Sequence, residues 1–318
     1  MNTASFLIKQ KIKKEAAALS LHCVGICALP FSSALKQLLR KGGSIPLCPD
    51  SPDLRTDAEA LLPGVRCAIV ILFPYGPPSL QKSNIAAYAQ LTDYHLVSRL
   101  YLNRLKKFLA DQYPHDAFYA AADTSPLCDR WLAYGAGLGF WGKNHCLINP
   151  VYGSWVTIGT LLTTLDLPPD RPVPQQCGTC SACLSACPGQ ALHDSGPMDP
   201  WRCKSWLTQK KGPLTSEETD IIRRTPLIFG CDACQLACPW NRTALASPIP
   251  EYKTSRITCL MRKDIESLSN KNFKLKFGTY PFSWRGKKIL LRNLAIQASA
   301  KSDFPSSCPD KDADQPVR

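Results

Sequence analysis

Four cysteines carry the first chemical signal. Cys177, Cys180, Cys183 and Cys187, the last followed by Pro188, have the spacing C-x2-C-x2-C-x3-C-P. Bacterial 4Fe-4S modules hold a cubane cluster with this run, and the fourth cysteine crosses to a second cluster. Soft thiolates suit such iron. Cys231, Cys234 and Cys238, followed by Pro239, repeat the end of the motif. Two clusters need eight ligands and the motifs supply seven, so a lone neighbour, Cys203, completes the set. The crossover rule then groups Cys177, Cys180, Cys183 and Cys238 as cluster 1, and Cys187, Cys203, Cys231 and Cys234 as cluster 2. Paired C-x2-C is also zinc spacing, so two zinc sites are the competing reading. Disulfides fit so dense a motif poorly without an export signal. The other eight of the 16 cysteines, among them Cys23, Cys27, Cys67, Cys128 and Cys146, carry no comparable pattern and read as small core residues.

Clusters move electrons but do not name a substrate. The best acid–base candidate is Asp123 in Asp123-Thr124-Ser125-Pro126, where a strand ends and a helix begins. Burial there would raise its pKa and keep it protonated. Its structural alternative is capping of that helix. Asp93-Tyr94-His95, inside a helical pattern, is equally two-sided. Gly137, Gly139 and Gly142 satisfy G-x-G-x-x-G, but they follow a helix and precede a strand, the reverse of a dinucleotide-binding turn.

These residues need a scaffold. The 318 residues, 45% hydrophobic and 20% charged, suffice for about two domains and exclude wholesale disorder. The longest apolar run, Cys67 to Phe73, is a buried strand and far short of a membrane span. Lys9 to Lys14 followed by apolar residues imitates a signal peptide, but Glu15, His22, Gly25 and Pro30 interrupt it, so a cytoplasmic protein is expected. Helices are expected around residues 6–19, over Tyr88–Leu109 and from Ser125 to Ala136. Strands are expected at Cys23–Leu29, Val65–Phe73, Ala117–Ala122 and within Val151–Leu165. The class is α+β, with three parts. Residues 1–165 form an α/β catalytic domain, 166–250 a ferredoxin-like domain, and 251–318 a basic helical tail whose end is disordered. Residues 251–301 hold twelve Lys or Arg against three Asp or Glu, +9 of a net +13, which points to a nucleic-acid partner.

Taken together, the motifs resemble epoxyqueuosine reductases. The likeness runs through Cys177 to Pro188, Arg202-Cys203, Trp206-Leu207-Thr208, Gly230 to Gln235 and Cys238-Pro239-Trp240-Asn241. It extends to Asp123-Thr124-Ser125-Pro126, Gly137 to Asn144, Phe273 to Phe277 and Ser283 to Lys288, nearly the whole chain to about residue 300. The resemblance implies an enzyme with two 4Fe-4S clusters and cobalamin that reduces epoxyqueuosine to queuosine at the tRNA wobble position. Asp123 would be the proton donor. Arg55, Ala86, Gly142, Lys143, Asn144, Leu147 and Ile158 would surround the corrinoid with it. Lys211, Arg285, Lys287, Lys288, Arg292 and Asn293 would grip tRNA. A flavodoxin or ferredoxin would supply electrons to a monomer. Family members continue into helical repeats, whereas about one helix of that region is present here. Ala87 and Gln90-Leu91-Thr92 also depart from the family pattern. The rival readings are another corrinoid iron–sulfur reductase, such as a dehalogenase, and a non-catalytic iron–sulfur electron carrier or nucleic-acid-binding protein.

Overall fold

The computed structural model describes residues 3–77, 83–254 and 256–299. The segment after Ser302, expected to be disordered, lies outside the described residues.

The sheet is built on β2 (Cys67–Pro74), whose eight residues are all buried, as a central strand with cover on two faces requires. The strand order is β1-β2-β6-β3, with β1 at Val24–Ala28, β3 at Phe118–Ala121 and β6 at Val156–Thr163. Every pairing is antiparallel. On one face lie α1 (Thr3–Ala18) and α3 (Tyr94–Gln112), packing Ile12, Ala16, Val97, Leu102 and Leu105 against Ile69, Ile71 and Phe73. On the other, α4 (Asp129–Gly135) packs Leu132 and Ala133 against Ala68, Val70 and Leu72. The short α2 (Ser33–Gly42) lies in the connection between β1 and β2. A two-residue ribbon, β4 (Phe140–Trp141) with β5 (Leu147–Ile148), follows α4.

Two helix starts differ from the sequence expectation. The pattern beginning at Tyr88 becomes helix only at Tyr94, because Asp93 caps the helix by accepting from the His95 N–H at 2.9 Å. The preceding 87–89 form a separate 3-10 turn. Likewise α4 begins at Asp129, not after Ser125. Asp123 adopts φ 57°, and Thr124 N donates to Ala122 O at 2.6 Å, so the chain turns before it can coil.

The cysteine-bearing part holds four short helices: α5 (Ala182–Ala186), α6 (Lys204–Leu207), α7 (Ser216–Arg223) and α8 (Ala233–Leu236). Then come α9 (Arg262–Ile265), α10 (Asn270–Phe277) and α11 (Lys287–Ser299). The expected basic tail is in fact core-forming. Leu260, Ile265, Phe273, Phe277, Phe282 and Leu290 pack with Ile85, Ala89, Ile228 and Phe229 in one apolar cluster. Its cations lie outside this seam, as a charged yet folded segment demands. No helix among the described residues is long and apolar enough to cross a membrane.

Candidate redox and acid–base site

Cys177, Cys180, Cys183 and Cys238 line a single cavity with Lys143, Asn144, Ile148, Pro239 and Trp240. The cavity lies at the surface, since Gly178, Thr179 and Ser181 in its loop are exposed. The second group gathers deeper. Cys203 lies in the fields of Cys187 and Cys146, and Cys234 in those of Cys146, Cys231 and Cys203. Among the described residues, no three His, Cys, Asp or Glu side chains converge as one tetrahedral ion requires. A cubane takes one thiolate at each of four irons, and four cysteines around a cavity suit that wider spread.

The turn 142–146 touches both groups. Lys143 N–H donates to Cys177 Sγ at 3.4 Å, while the Lys143 ammonium pairs with Asp194 at 2.7 Å. Asn144 Oδ1 accepts the Cys146 N–H at 3.1 Å, and the Cys146 thiol is hydrogen-bonded to Cys234. Sequence spacing gave no sign of Cys146; only the folded turn brings it to the second group. Two more residues escaped notice there. Lys204, 1% exposed, donates to Ile222 O, Thr225 O and Thr225 Oγ1, and burial pulls its pKa down to about 7. Asp232, between two cysteines of the motif, accepts the Ala87 N–H at 2.7 Å, and burial pushes its pKa up to about 7.

Gly230 opens this second loop at φ 72°, and an added Cβ would stand 2.5 Å from Ala86 Cβ and 3.0 Å from the Tyr88 ring. Neither the backbone nor the space admits a side chain. Gly230→Ala is therefore expected to lower Tm by at least a few degrees and to reduce iron at the second group selectively. Thermal melts and iron analysis read both effects.

Asp123 sits where β3 hands over to the turn before α4. A non-glycine residue at positive φ costs about 1–3 kcal/mol and persists where its surroundings impose it. Its Oδ2 accepts from Tyr94 Oη at 2.5 Å and lies 3.3 Å from His95 Nε2. The other ring nitrogen of His95 meets Asp93 Oδ1 at 2.7 Å. Burial alone would lower the His95 pKa, but the bonds to Asp123 and Asp93 outweigh it and raise it to about 9. The same His95 bond, aided by Tyr94, holds Asp123 below the usual carboxylate range despite desolvation. This corrects the expectation that burial raises Asp123: the resting proton sits on His95. The helix pattern hides this cluster, because Asp93-Tyr94-His95 also reads as the interior of an ordinary helix.

Tyr88 joins the two halves of the site. It lies edge-on to Tyr94, packs on Phe229, and feels the charges of Asp232, Asp123 and Cys203. Tyr88 thus stands beside the loop that opens at Gly230 on one side and beside Tyr94, the partner of Asp123, on the other.

The other expected contacts divide. Arg55 is half-buried near Cys128, and Ile158 is half-buried on β6. Ser125 Oγ, buried without a partner, adds a polar atom to the turn after Asp123. A half-buried arginine, an unsatisfied hydroxyl and an apolar strand position suit a flat, amide-fringed macrocycle. Ala86 does not fit that role: it is fully buried, donates its N–H to Phe229 O and packs against Gly230. Leu147 is 3% exposed and serves the core. Lys143 and Asn144 face the first cysteine cavity, with Gly142 beginning their turn. Among the basic residues, Asn293 is fully buried, giving its amide to Thr208 O and Ile228 O, so it is framework rather than an RNA contact. Arg292 is likewise committed to the carbonyls of Lys210, Gly212 and Leu207, and Lys287 to those of Glu266 and Leu268. Lys211 and Lys288 are exposed, and Arg285 stacks 3.8 Å from the exposed Trp284 ring.

Comparison with known proteins accords with this arrangement. Residues 176–241 match the family described as "4Fe-4S double cluster binding domain", and residues 55–124 match "Epoxyqueuosine reductase QueG, DUF1730". The epoxyqueuosine reductase of Bacillus cereus is 35% identical over 97% of this chain and 86% of its own. A crystal structure of epoxyqueuosine reductase with an epoxyqueuosine-modified tRNA-Tyr stem loop superposes with a TM-score of 0.83 at 30% identity, covering 92% of this chain and 81% of that one. The Bacillus subtilis enzyme, in a form with its catalytic aspartate loop swung out of the active site, gives 0.79 at 30% identity over 92% and 81%. With two cysteine groups, the acid–base cluster beside them and this similarity over almost its full length, the chain belongs to the epoxyqueuosine reductase family of oxidoreductases.

Proposed function

We propose that this chain reduces epoxyqueuosine in tRNA to queuosine, using two 4Fe-4S clusters and a corrinoid. The observation that carries the proposal is the placement of Asp123, with His95 and Tyr94 on its carboxylate and Tyr88 linking Tyr94 to the loop of the second cysteine group. Opening the epoxide to an alkene consumes two electrons and two protons and releases water. The oxygen leaves poorly as an oxyanion, so proton delivery is the protein's task.

Asp123 is ionised at rest and hydrogen-bonded to protonated His95. When bound substrate excludes water, the charge pair loses its solvation and the proton moves from Nε2 to Oδ2, and from there to the leaving oxygen. Tyr94 keeps the carboxylate oriented through this transfer. A bound corrinoid supplies a low-valent metal that gathers single electrons and delivers them as a pair. Arg55, Ile158 and the turn of Asp123 to Ser125 are its proposed surroundings, rather than Ala86. Cys177, Cys180, Cys183 and Cys238 would hold the outer cluster, where an electron donor such as flavodoxin or ferredoxin can reach it. Cys187, Cys203, Cys231 and Cys234 would hold the inner one. For tRNA we assign Arg285 with Trp284, Lys288 and Lys211, whose charges neutralise phosphates, while the wobble base is splayed into the site. The rival reductive dehalogenase is not favoured, since it would need no basic C-terminal segment.

The test is anaerobic reconstitution with iron, sulfide and cobalamin, reduction, and incubation with an epoxyqueuosine-containing anticodon stem-loop. Mass spectrometry of the nucleoside is expected to show loss of one oxygen. Fully loaded protein that leaves the nucleoside unchanged would overturn the proposal.

A further inference from the structure

Asp129, the first residue of α4, is half-buried and has no place in the chemistry described above, yet part of its carboxyl group is oddly sequestered. One of its carboxyl oxygens, Oδ1, is shut off from solvent without any hydrogen-bond partner. The group's hydrogen bond comes from the backbone N–H of Asp123. The adjacent Arg130 sends its guanidinium to the carbonyl of His145, so its charge eases the burial of Asp129 only from a distance and without a hydrogen bond. A carboxyl kept in such a place is costly unless the fold or the function uses it.

The turn it touches needs a restraint. Asp123 holds φ 57°, a conformation that side chains other than glycine avoid, and its carboxyl group is 58% exposed. Tyr94 and His95 grip only that carboxylate, and both bonds must change as the proton moves. The bond from the Asp123 N–H to Asp129 involves no reacting atom, so it survives the whole cycle. We propose that Asp129 is a positioning residue that latches the Asp123 turn in its left-handed, inward conformation and so keeps the reacting carboxylate aimed at the substrate.

Two further observations agree. Burial, followed by the nearby Asp123 charge, raises Asp129 to about pH 7, so the latch need not add a second negative charge beside Asp123. The turn is otherwise lightly tied. Thr124 is exposed, and Ser125 Oγ, buried as it is, finds no partner that would fix the segment. Asp129 is also anchored by the helix it opens, since Leu132 and Ala133 of α4 are fully buried against the sheet.

The inference rests on the proposed acid–base role of Asp123, but its physical content can be read without substrate. In the cluster-loaded, cobalamin-loaded protein, Asp129→Asn keeps an acceptor oxygen in place, whereas Asp129→Leu removes it at similar volume. Hydrogen–deuterium exchange of the peptide spanning 122–128 is expected to quicken in Asp129→Leu and to stay near wild type in Asp129→Asn. With the stem-loop substrate, kcat of Asp129→Leu should fall about a hundredfold while KM changes little, and Asp129→Asn should retain most activity. Unaltered exchange in Asp129→Leu, or an Asn variant as defective as the Leu variant, would overturn the latch. If Asp129→Leu fails to load its clusters, Asp129→Ala carries the same comparison with Asp129→Asn. A wild-type protein inactive on epoxyqueuosine would sink the functional proposal and leave the exchange result to decide this one.

Discussion

Replacing Cys203 with alanine is expected to halve the iron and sulfide content, leave one cluster spectroscopically intact, and abolish turnover. Cys203 is the residue that tests the ligand set, because it stands outside both cysteine motifs. It lies between the 3-10 turn at Pro200–Arg202 and α6, where the N–H groups of Trp206 and Ser205 point at its sulfur. Those donors favour the thiolate and would still be present around a bound cluster. Cys187 comes from one other segment and Cys231 and Cys234 from a second, so for a cubane missing one corner the substitute close by, among the described residues, is Cys146. Iron and sulfide assays with electron paramagnetic resonance of the reduced protein measure the outcome. Two clusters surviving in Cys203→Ala would show that Cys203 is not a ligand, and the double variant with Cys146→Ala would then identify the replacement.

Asp123→Asn is expected to lower kcat by about 10²–10⁴-fold with both clusters and the corrinoid retained. Asparagine keeps the size and one acceptor but carries no proton between His95 and the substrate. The companion change is His95→Gln, and here the pH dependence gives the sign. His95 is raised from 6.5 to about 9 by its two carboxylate partners. A raised histidine contributes stability that is fully present below the unfolded value near 6.5 and is lost as pH rises through about 9. Activity should follow the same proton, falling above about pH 9 in the wild type, a limb that His95→Gln should lack at a uniformly lower rate. Pre-steady-state turnover against pH, with chemical denaturation over the same range, measures both. A wild-type profile flat to pH 10 would remove His95 from the proton path.

Much of this site was legible from residue order because iron–sulfur ligation is a local pattern. Three or four cysteines must wrap one cluster, so their spacing is written along the chain, and only Cys203 had to be inferred by counting. Strands were legible for a similar reason: β2 is an unbroken apolar run, and its neighbours follow from turn residues. What stayed hidden is long-range. The approach of Cys146 to Cys234 depends on how the turn 142–146 lands on a loop some ninety residues later. The protonation of Asp123 could not be read from its own surroundings in sequence, since burial pushes one way and His95, from another helix, pushes harder the other. The resemblance misled most at the C-terminus. It pointed to Arg292 and Asn293 as tRNA contacts, yet their donors are consumed inside the protein.

That consumption has a consequence for dissecting the enzyme. Along α11, Arg292 serves three carbonyls, Asn293 two and Gln297 two more, and they belong to the stretches that flank Cys203 and Cys231. A shortened version ending ahead of this helix would take a donor from each of these seven carbonyls, and those of Thr208, Lys210, Gly212 and Ile228 would lose their hydrogen bond from the protein. The cysteine-bearing part is therefore built around its last helix, and removing α11 is expected to lower its stability before any sulfur is touched.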